Sequence, residues 1–177
     1  MGTWNSRGLR GSLLEELINL TNEKYRSQGL ALIQKVPTPI KPIKIDQATR
    51  HITLAYFDQK STVDYMGVIQ GIPVCFDAKE CAKETFPLAN IHAHQFQFMK
   101  EYEDQEGLSF LIIFFKSRDL YMYLPFAKLE EFWQRMEEGG PKNFKLEELD
   151  PAYEISPYGG TFLHYLEQVQ MDIESRE

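Results

Sequence analysis

The sequence predicts an α/β domain: a mixed sheet flanked by helices, with a β-ribbon projecting from it. Three observations carry that prediction. Apolar residues recur at helical spacing near the start, at Leu14, Leu17, Ile18, Thr21 and Tyr25, and at strand spacing later, in Tyr65–Ile69 and Ile72–Lys79. The run Leu108–Lys116 is nearly all apolar, as a central strand covered on both faces requires. Between these lies Pro37-Thr38-Pro39-Ile40-Lys41-Pro42, which the prolines hold extended.

The elements follow in order. Ser12-Leu13-Leu14-Glu15 fits a capping box, so the first helix starts there, runs to about Gln28 and stops at Gly29. Ala31–Lys35 reads as a short strand. The proline segment and the strand-like His51–Phe57 make a projecting ribbon between about 36 and 60. Tyr65–Ile69 and Ile72–Lys79, joined through Gly71, form a hairpin. A helix is expected from about Asn90 to Gln105, ended by Gly107, then the apolar strand, a further strand at Leu120–Leu124 and a helix at Leu129–Met136. Gly139-Gly140-Pro141 opens a loop, and Phe162–Ile173 closes the chain as an amphipathic helix. There are no repeats, and 177 residues suit one domain, 1–177, with the ribbon as an insertion.

Composition narrows the function classes. No apolar run approaches the roughly 20 residues of a membrane span, and the first residues lack the apolar stretch of a signal peptide. Two cysteines, Cys75 and Cys81, supply neither a disulfide framework nor a thiolate zinc site, and a reducing cytoplasm is the expected compartment. The net charge of −7 is unevenly spread. Residues 1–50 carry eight Lys/Arg against four Asp/Glu, while the remainder carries eleven against twenty-two. Arg7, Arg10, Lys35, Lys41, Lys44 and Arg50 therefore form either a local phosphate-binding surface or a solvated face; charge alone does not choose.

The chemistry concentrates in Ser61-Thr62-Val63-Asp64-Tyr65 and Val74-Cys75-Phe76-Asp77-Ala78-Lys79. Side chains alternate along a strand, so Ile72, Val74, Phe76 and Ala78 share one face, and Cys75, Asp77 and Lys79 the other. A carboxylate and an ammonium on an otherwise apolar strand need partners, and Asp64, one hairpin arm back, supplies one. Two carboxylates and a lysine are also what metal-assisted phosphodiester cleavage needs. Aspartate oxygens suit Mg²⁺, which activates water and neutralises charge on the phosphate, and a lysine stabilises that charge. The spacing alone also fits a structural Asp–Lys cluster, and both readings stand at this point.

Longer strings add a resemblance. Asn5-Ser6-Arg7-Gly8-Leu9-Arg10-Gly11-Ser12, Lys35-Val36-Pro37-Thr38-Pro39-Ile40 and Ala55-Tyr56-Phe57 come in order. Ser61-Thr62-Val63-Asp64-Tyr65, Phe76-Asp77-Ala78-Lys79-Glu80 and Asn90-Ile91-His92-Ala93-His94-Gln95 follow. Together they resemble the RecU family of Holliday junction resolvases over about residues 4–135, and more weakly through Tyr153–Tyr165. The resemblance implies a restriction-endonuclease-like fold, a PD-(D/E)xK nuclease site, a homodimer and a stalk that enters a four-way DNA junction. By that likeness Thr62, Asp64, Asp77 and Gln95 match metal-site positions, with Mg²⁺ expected and Mn²⁺ an alternative. Lys79 matches the transition-state stabiliser. Glu15 sits where related nucleases often place another acidic residue, although its capping-box position accounts for it equally. A recombinase or branch-migration helicase is a further expected partner. A non-cleaving junction-binding or recombinase-interacting factor is the competing function.

Two departures stand out. The family usually has Glu where this chain has Asp77, which draws the carboxylate back by roughly 1 Å, a shift of the size that changes rates about 10²-fold. One residue fewer separates Asp77 from the His-Ala-His-Gln run. On a helix, His92 and His94 at i, i+2 fall on different sides and make a poor metal pair. Phe114, Phe115, Phe132 and Trp133 are expected in the core or a dimer interface, and Cys81 as a small buried residue.

Overall fold

Ser12 Oγ accepts a hydrogen bond from the Glu15 amide at 3.2 Å and so starts α1 (Leu13–Ser27), as the sequence predicts. The capping box is only half formed, because the Glu15 side chain turns to Lys35. These positions come from a computed structural model that describes residues 12–57, 62–158 and 162–176. α1 ends before Gly29, whose φ of +68° is the left-handed conformation glycine adopts without a steric penalty.

The sheet has six strands in the order β1 (Ala31–Lys35), β4 (Tyr65–Ile69), β5 (Ile72–Cys81), β7 (Leu108–Phe115), β8 (Leu120–Pro125), β10 (Glu154–Ile155). β5 and β7 pair in parallel, and all other neighbours are antiparallel. A parallel pair needs a crossover, which α2 (Ala93–Glu103) supplies. β7 is buried at all eight positions, as its unbroken apolar run predicts.

Alternation sorts the sheet's side chains into two cores. Tyr65, Val74, Phe76, Phe110 and Tyr123 face α1 and α4 (Leu166–Glu174). Cys75, Leu111, Ile113, Met122 and Leu124 face α2 and α3 (Phe126–Glu137). On the first face four aromatic rings stack across four strands: Tyr65 on Phe76 at 4.8 Å, Phe76 on Phe110 at 4.6 Å and Phe110 on Tyr123 at 4.5 Å. A one-residue slip of any strand would turn its ring to the other face, so the stack helps fix register.

The ribbon forms as β2 (Ile40–Ile45) and β3 (Ile52–Phe57), a separate two-stranded sheet. Its tip is closed by Asp46 Oδ1, which accepts from the amides of Ala48 and Thr49. Two further strand pairs carry no strong pattern in the sequence: β6 (Thr85–Pro87) with β9 (Asn143–Lys145), and β11 (Pro157–Tyr158) with β12 (Phe162–Leu163).

Several boundaries differ from expectation, most by a residue or two. α2 starts at Ala93 rather than Asn90, because Leu88–Asn90 form a separate 3₁₀ turn. α4 starts at Leu166 rather than Phe162, because Phe162 and Leu163 pair as a strand. α3 begins three residues early, at Phe126 after Pro125. The strand expected over Ile72–Lys79 continues to Cys81 along β7.

Candidate active site

The β4–β5 hairpin brings Asp64 and Asp77 together. Tyr65 pairs with Phe76, so Asp64, just before β4, lies beside Asp77 on β5. The Asp64 amide donates to Asp77 Oδ1 at 2.7 Å. The Ala78 amide donates to Asp64 Oδ2 at 3.0 Å. Each carboxylate is thus held by backbone next to the other, and each keeps one oxygen for another partner. Burial, and next the negative charge of Asp77, push the Asp64 carboxyl up to about 6. The Ala78 hydrogen bond and the Lys79 charge pull the other way.

Lys79 follows Asp77 on the same strand face, and its Nζ lies 3.0 Å from Asp77 Oδ2. That contact is an ion pair off the hydrogen-bond direction: among the described residues Asp77 Oδ2 has no hydrogen-bond partner, although Asp77 is fully buried. Lys79 Nζ donates instead to Gln95 Oε1 at 3.4 Å. Gln95 Oε1 also accepts from the His92 amide at 3.2 Å, so one side chain caps α2 and restrains the lysine. The expectation that His92 and His94 point apart is corrected: their rings stack at 5.4 Å, 10° from parallel, because His92 lies outside the helix at its N-cap.

Glu15, on α1, does not contact the two aspartates; its charge adds the smallest of the upward pushes on the Asp64 carboxyl. Its Oε2 pairs with Lys35 Nζ at 2.7 Å. Lys35 ends β1, and the next amide, Val36, donates to Asp64 O at 2.8 Å. Thr62 is half-buried two residues before Asp64. Lys41 and Lys44 are exposed on β2, and Arg50 is exposed in the turn at the ribbon tip. Four of the expected phosphate-binding residues therefore line the ribbon and its root. Arg7 and Arg10 lie outside the described residues.

The residues present fit a hard divalent cation. Among the described residues Asp77 Oδ2 is a buried carboxylate oxygen with the Lys79 ion pair and no hydrogen bond, and Asp64 Oδ1 is the oxygen that the Ala78 amide leaves over. Among the described residues no three His, Cys, Asp or Glu side chains converge as ligands. Two aspartates would therefore hold the ion with neutral oxygens and water, a donor set that suits Mg²⁺, which dehydrates reluctantly.

Reasoning from sequence missed the backbone part of this arrangement. The amides of Asp64, Ala78 and His92 orient three side chains, and an amide carries no residue signature. It also missed Glu80, whose carboxylate accepts from the Leu14 amide at 3.3 Å and pairs with Lys116, tying the start of α1 to the strand that bears Asp77. Its place one residue after Lys79 was the available signal.

Comparison with known proteins gives the ancestry. A family model for Recombination protein U, RecU, matches residues 9–171. The chain belongs to the RecU family. A Holliday junction resolvase RecU from Lactobacillus delbrueckii subsp. bulgaricus is 39% identical over 173 residues, 95% of this chain and 82% of the relative. RecU proteins of Listeria welshimeri and Staphylococcus epidermidis are 40% and 41% identical, covering 86% and 92% of this chain and 78% and 80% of theirs. A solved Holliday junction resolvase of Archaeoglobus fulgidus aligns with 89% of this chain and 98% of its own, at 11% identity and a TM-score of 0.43. No described helix is long and apolar enough to cross a membrane.

Proposed function

We propose that this RecU-family protein is a single-domain, metal-dependent endonuclease that resolves four-way DNA junctions, acting as a homodimer with one site per subunit. The observation that carries the reading is the reciprocal hold on Asp64 and Asp77, with Lys79 pressed against the second. A purely structural ion cluster would satisfy its buried oxygens; among the described residues this one leaves an Asp77 oxygen with an ion pair and no hydrogen bond. The names of the relatives, and a family match across most of the chain, support the junction as substrate.

Asp64 and Asp77, with Gln95 and Thr62 as neutral oxygens, would hold Mg²⁺ or Mn²⁺. When bound, the ion supplies Lewis acidity, which makes water a better nucleophile and offsets charge on the phosphate. The protein's own part is positioning. Two backbone amides fix the carboxylates before any substrate arrives, so little reorganisation is needed later. Asp77 and Gln95 restrain the Lys79 ammonium at the edge of the site, where it meets the charge that grows on the phosphate. In-line attack by water leaves a 5′-phosphate and a 3′-hydroxyl. Lys35, Lys41, Lys44 and Arg50 contact backbone phosphates, which fixes register without reading bases. Arg7 and Arg10 extend that surface. Two symmetric subunits cut opposing strands. The protein works in the cytoplasm, where a recombinase or branch-migration helicase supplies junctions.

The test is cleavage of a synthetic four-way junction in Mg²⁺ or Mn²⁺, with Asp77→Ala as control. Paired nicks by the native protein and none by the variant support the reading. Tight junction binding with no nicking in either metal replaces it with a non-cleaving junction-binding factor.

A further inference from the structure

Lys35 stands where two parts of the molecule meet. It is the last residue of β1, the ribbon leaves the body directly after it, and the following amide is bonded to Asp64 O. Its side chain is 44% exposed and its ammonium holds Glu15, whose side chain is 25% exposed. The backbone under Glu15 is fixed. Tyr65 Oη donates to Asn19 Oδ1 at 3.0 Å and lies near Glu15 O, while Glu80 ties down the helix start. The Glu15 side chain is held at its tip by Lys35, and three torsions separate that tip from the fixed backbone.

We propose that Lys35 keeps Glu15 turned out of the metal site in the free protein and surrenders it when a DNA phosphate takes the ammonium, so that Glu15 joins Asp64 and Asp77 only with substrate bound. This inference rests on the nuclease reading above. Three observations support it. Described residues hold no group of three converging acidic ligands, and Lys35 brings Glu15 beside Asp64: its Nζ holds Glu15 at 2.7 Å, Lys35 pairs with Tyr65, and the next amide is bonded to Asp64 O at 2.8 Å. The Glu15 carboxylate is engaged by Lys35, while its backbone oxygen lies 3.4 Å from the hydroxyl of Tyr65, the residue after Asp64. An ion pair this exposed is weak and exchanges readily for a phosphate, which is a doubly open acceptor with a full charge. The result is a gate: the ribbon's root must touch DNA before the third carboxylate is released. Cutting of DNA away from a properly seated junction is thereby suppressed.

The test is Mn²⁺ titration by calorimetry on the full chain without DNA, comparing native protein, Lys35→Met, Glu15→Gln and the double variant. Lys35→Met should bind Mn²⁺ more tightly, by roughly 1.5- to five-fold, the range an exposed ion pair accounts for. The double variant should lose that gain. Thermodynamic linkage adds a second readout: a saturating four-way junction in native protein should tighten Mn²⁺ by a similar factor, and Lys35→Met should abolish the increment. Lys35→Gln, with thermal unfolding to verify folding, guards against a Met-specific effect. Unchanged or weaker Mn²⁺ binding in both Lys35 variants overturns the proposal. If native protein then still cleaves junctions, only the gate has failed. If native protein neither binds Mn²⁺ nor cleaves, the nuclease reading has failed as well.

Discussion

Asp64 and Asp77 orient one another through backbone. The amide of Asp64 holds one oxygen of Asp77, and the amide following Asp77 holds one oxygen of Asp64. Two carboxyl groups are thereby fixed side by side, and burial, with the Asp77 charge next, raises the Asp64 carboxyl. This relationship shapes the first two predictions.

Asp77→Glu introduces the residue that the family resemblance leads one to expect here, yet it should impair this protein. Asp77 is fully buried with Oδ1 bonded at 2.7 Å, so an added methylene has to displace that bond or its neighbours. Overpacking of this kind destabilises by about 1–3 kcal/mol, and a 1 Å displacement of the carboxylate slows cleavage about 10²-fold. Single-turnover junction cleavage and urea unfolding measure the two effects. Equal or faster cleavage by the variant would show that the site tolerates either length.

The pH response follows from Asp64. Its carboxyl titrates near 6 when folded, against 3.8 for a free one. Between those values the folded protein binds a proton that the unfolded chain releases. This group therefore favours folding below about pH 4, and the contribution is lost as pH rises through about 6. Asp64→Asn should stabilise the metal-free protein by on the order of 1–3 kcal/mol at pH 8 and by almost nothing at pH 3. Metal affinity of the native protein should fall below pH 6, where protons compete. A stability gain equal at both pH values would assign it to packing instead.

Gln95→Leu tests the restraint on Lys79. The variant keeps α2's apolar packing but removes the acceptor shared by Lys79 Nζ and the His92 amide. Losing such an orienting partner lowers activity by about 10–100-fold. The drop should appear in the cleavage step while junction affinity in Ca²⁺ stays within about two-fold, the expectation for a residue off the ribbon. An affinity loss matching the rate loss would relocate Gln95 to DNA binding.

Lys44→Glu with Arg50→Glu tests the ribbon. Both residues are exposed on a two-stranded sheet of its own, so the thermal midpoint should hold within about 2 °C. Each lost phosphate contact should flatten the salt dependence of junction affinity by about 0.9 in log–log slope. Unaltered affinity and slope would make these residues a solvated face.

The aromatic stack sets the stability of the hairpin that bears the carboxylates. Phe76 lies between Tyr65 and Phe110 and is fully buried. Phe76→Ala should lower stability by about 3–5 kcal/mol and the melting midpoint by roughly 10 °C, readable by calorimetry. A shift under about 3 °C would place the register elsewhere.

Much of this was legible in the residues themselves. Period-two alternation placed Asp77 and Lys79 on one face of β5 and Phe76 on the other, because a strand has no other way to direct neighbouring side chains. The unbroken apolar run made β7 central, and the prolines made the ribbon. Ordered strings from Arg7 to Gln95 pointed to the family. What the sequence could not supply was how Asp64, Asp77 and Lys79 meet one another and their neighbours. That rests on amides and on contacts between residues distant in the chain: Asp64 with Asp77 through a hairpin register, Lys79 with Gln95 across the sheet–helix interface, Glu15 with Lys35 at the ribbon's root. Backbone donors look the same at every position, and local spacing contains no distance between α1 and β1. The sequence determined which chemical groups are present and which way each strand turns them; tertiary packing alone decided which groups meet, because meeting depends on register and helix docking rather than on neighbours in the chain.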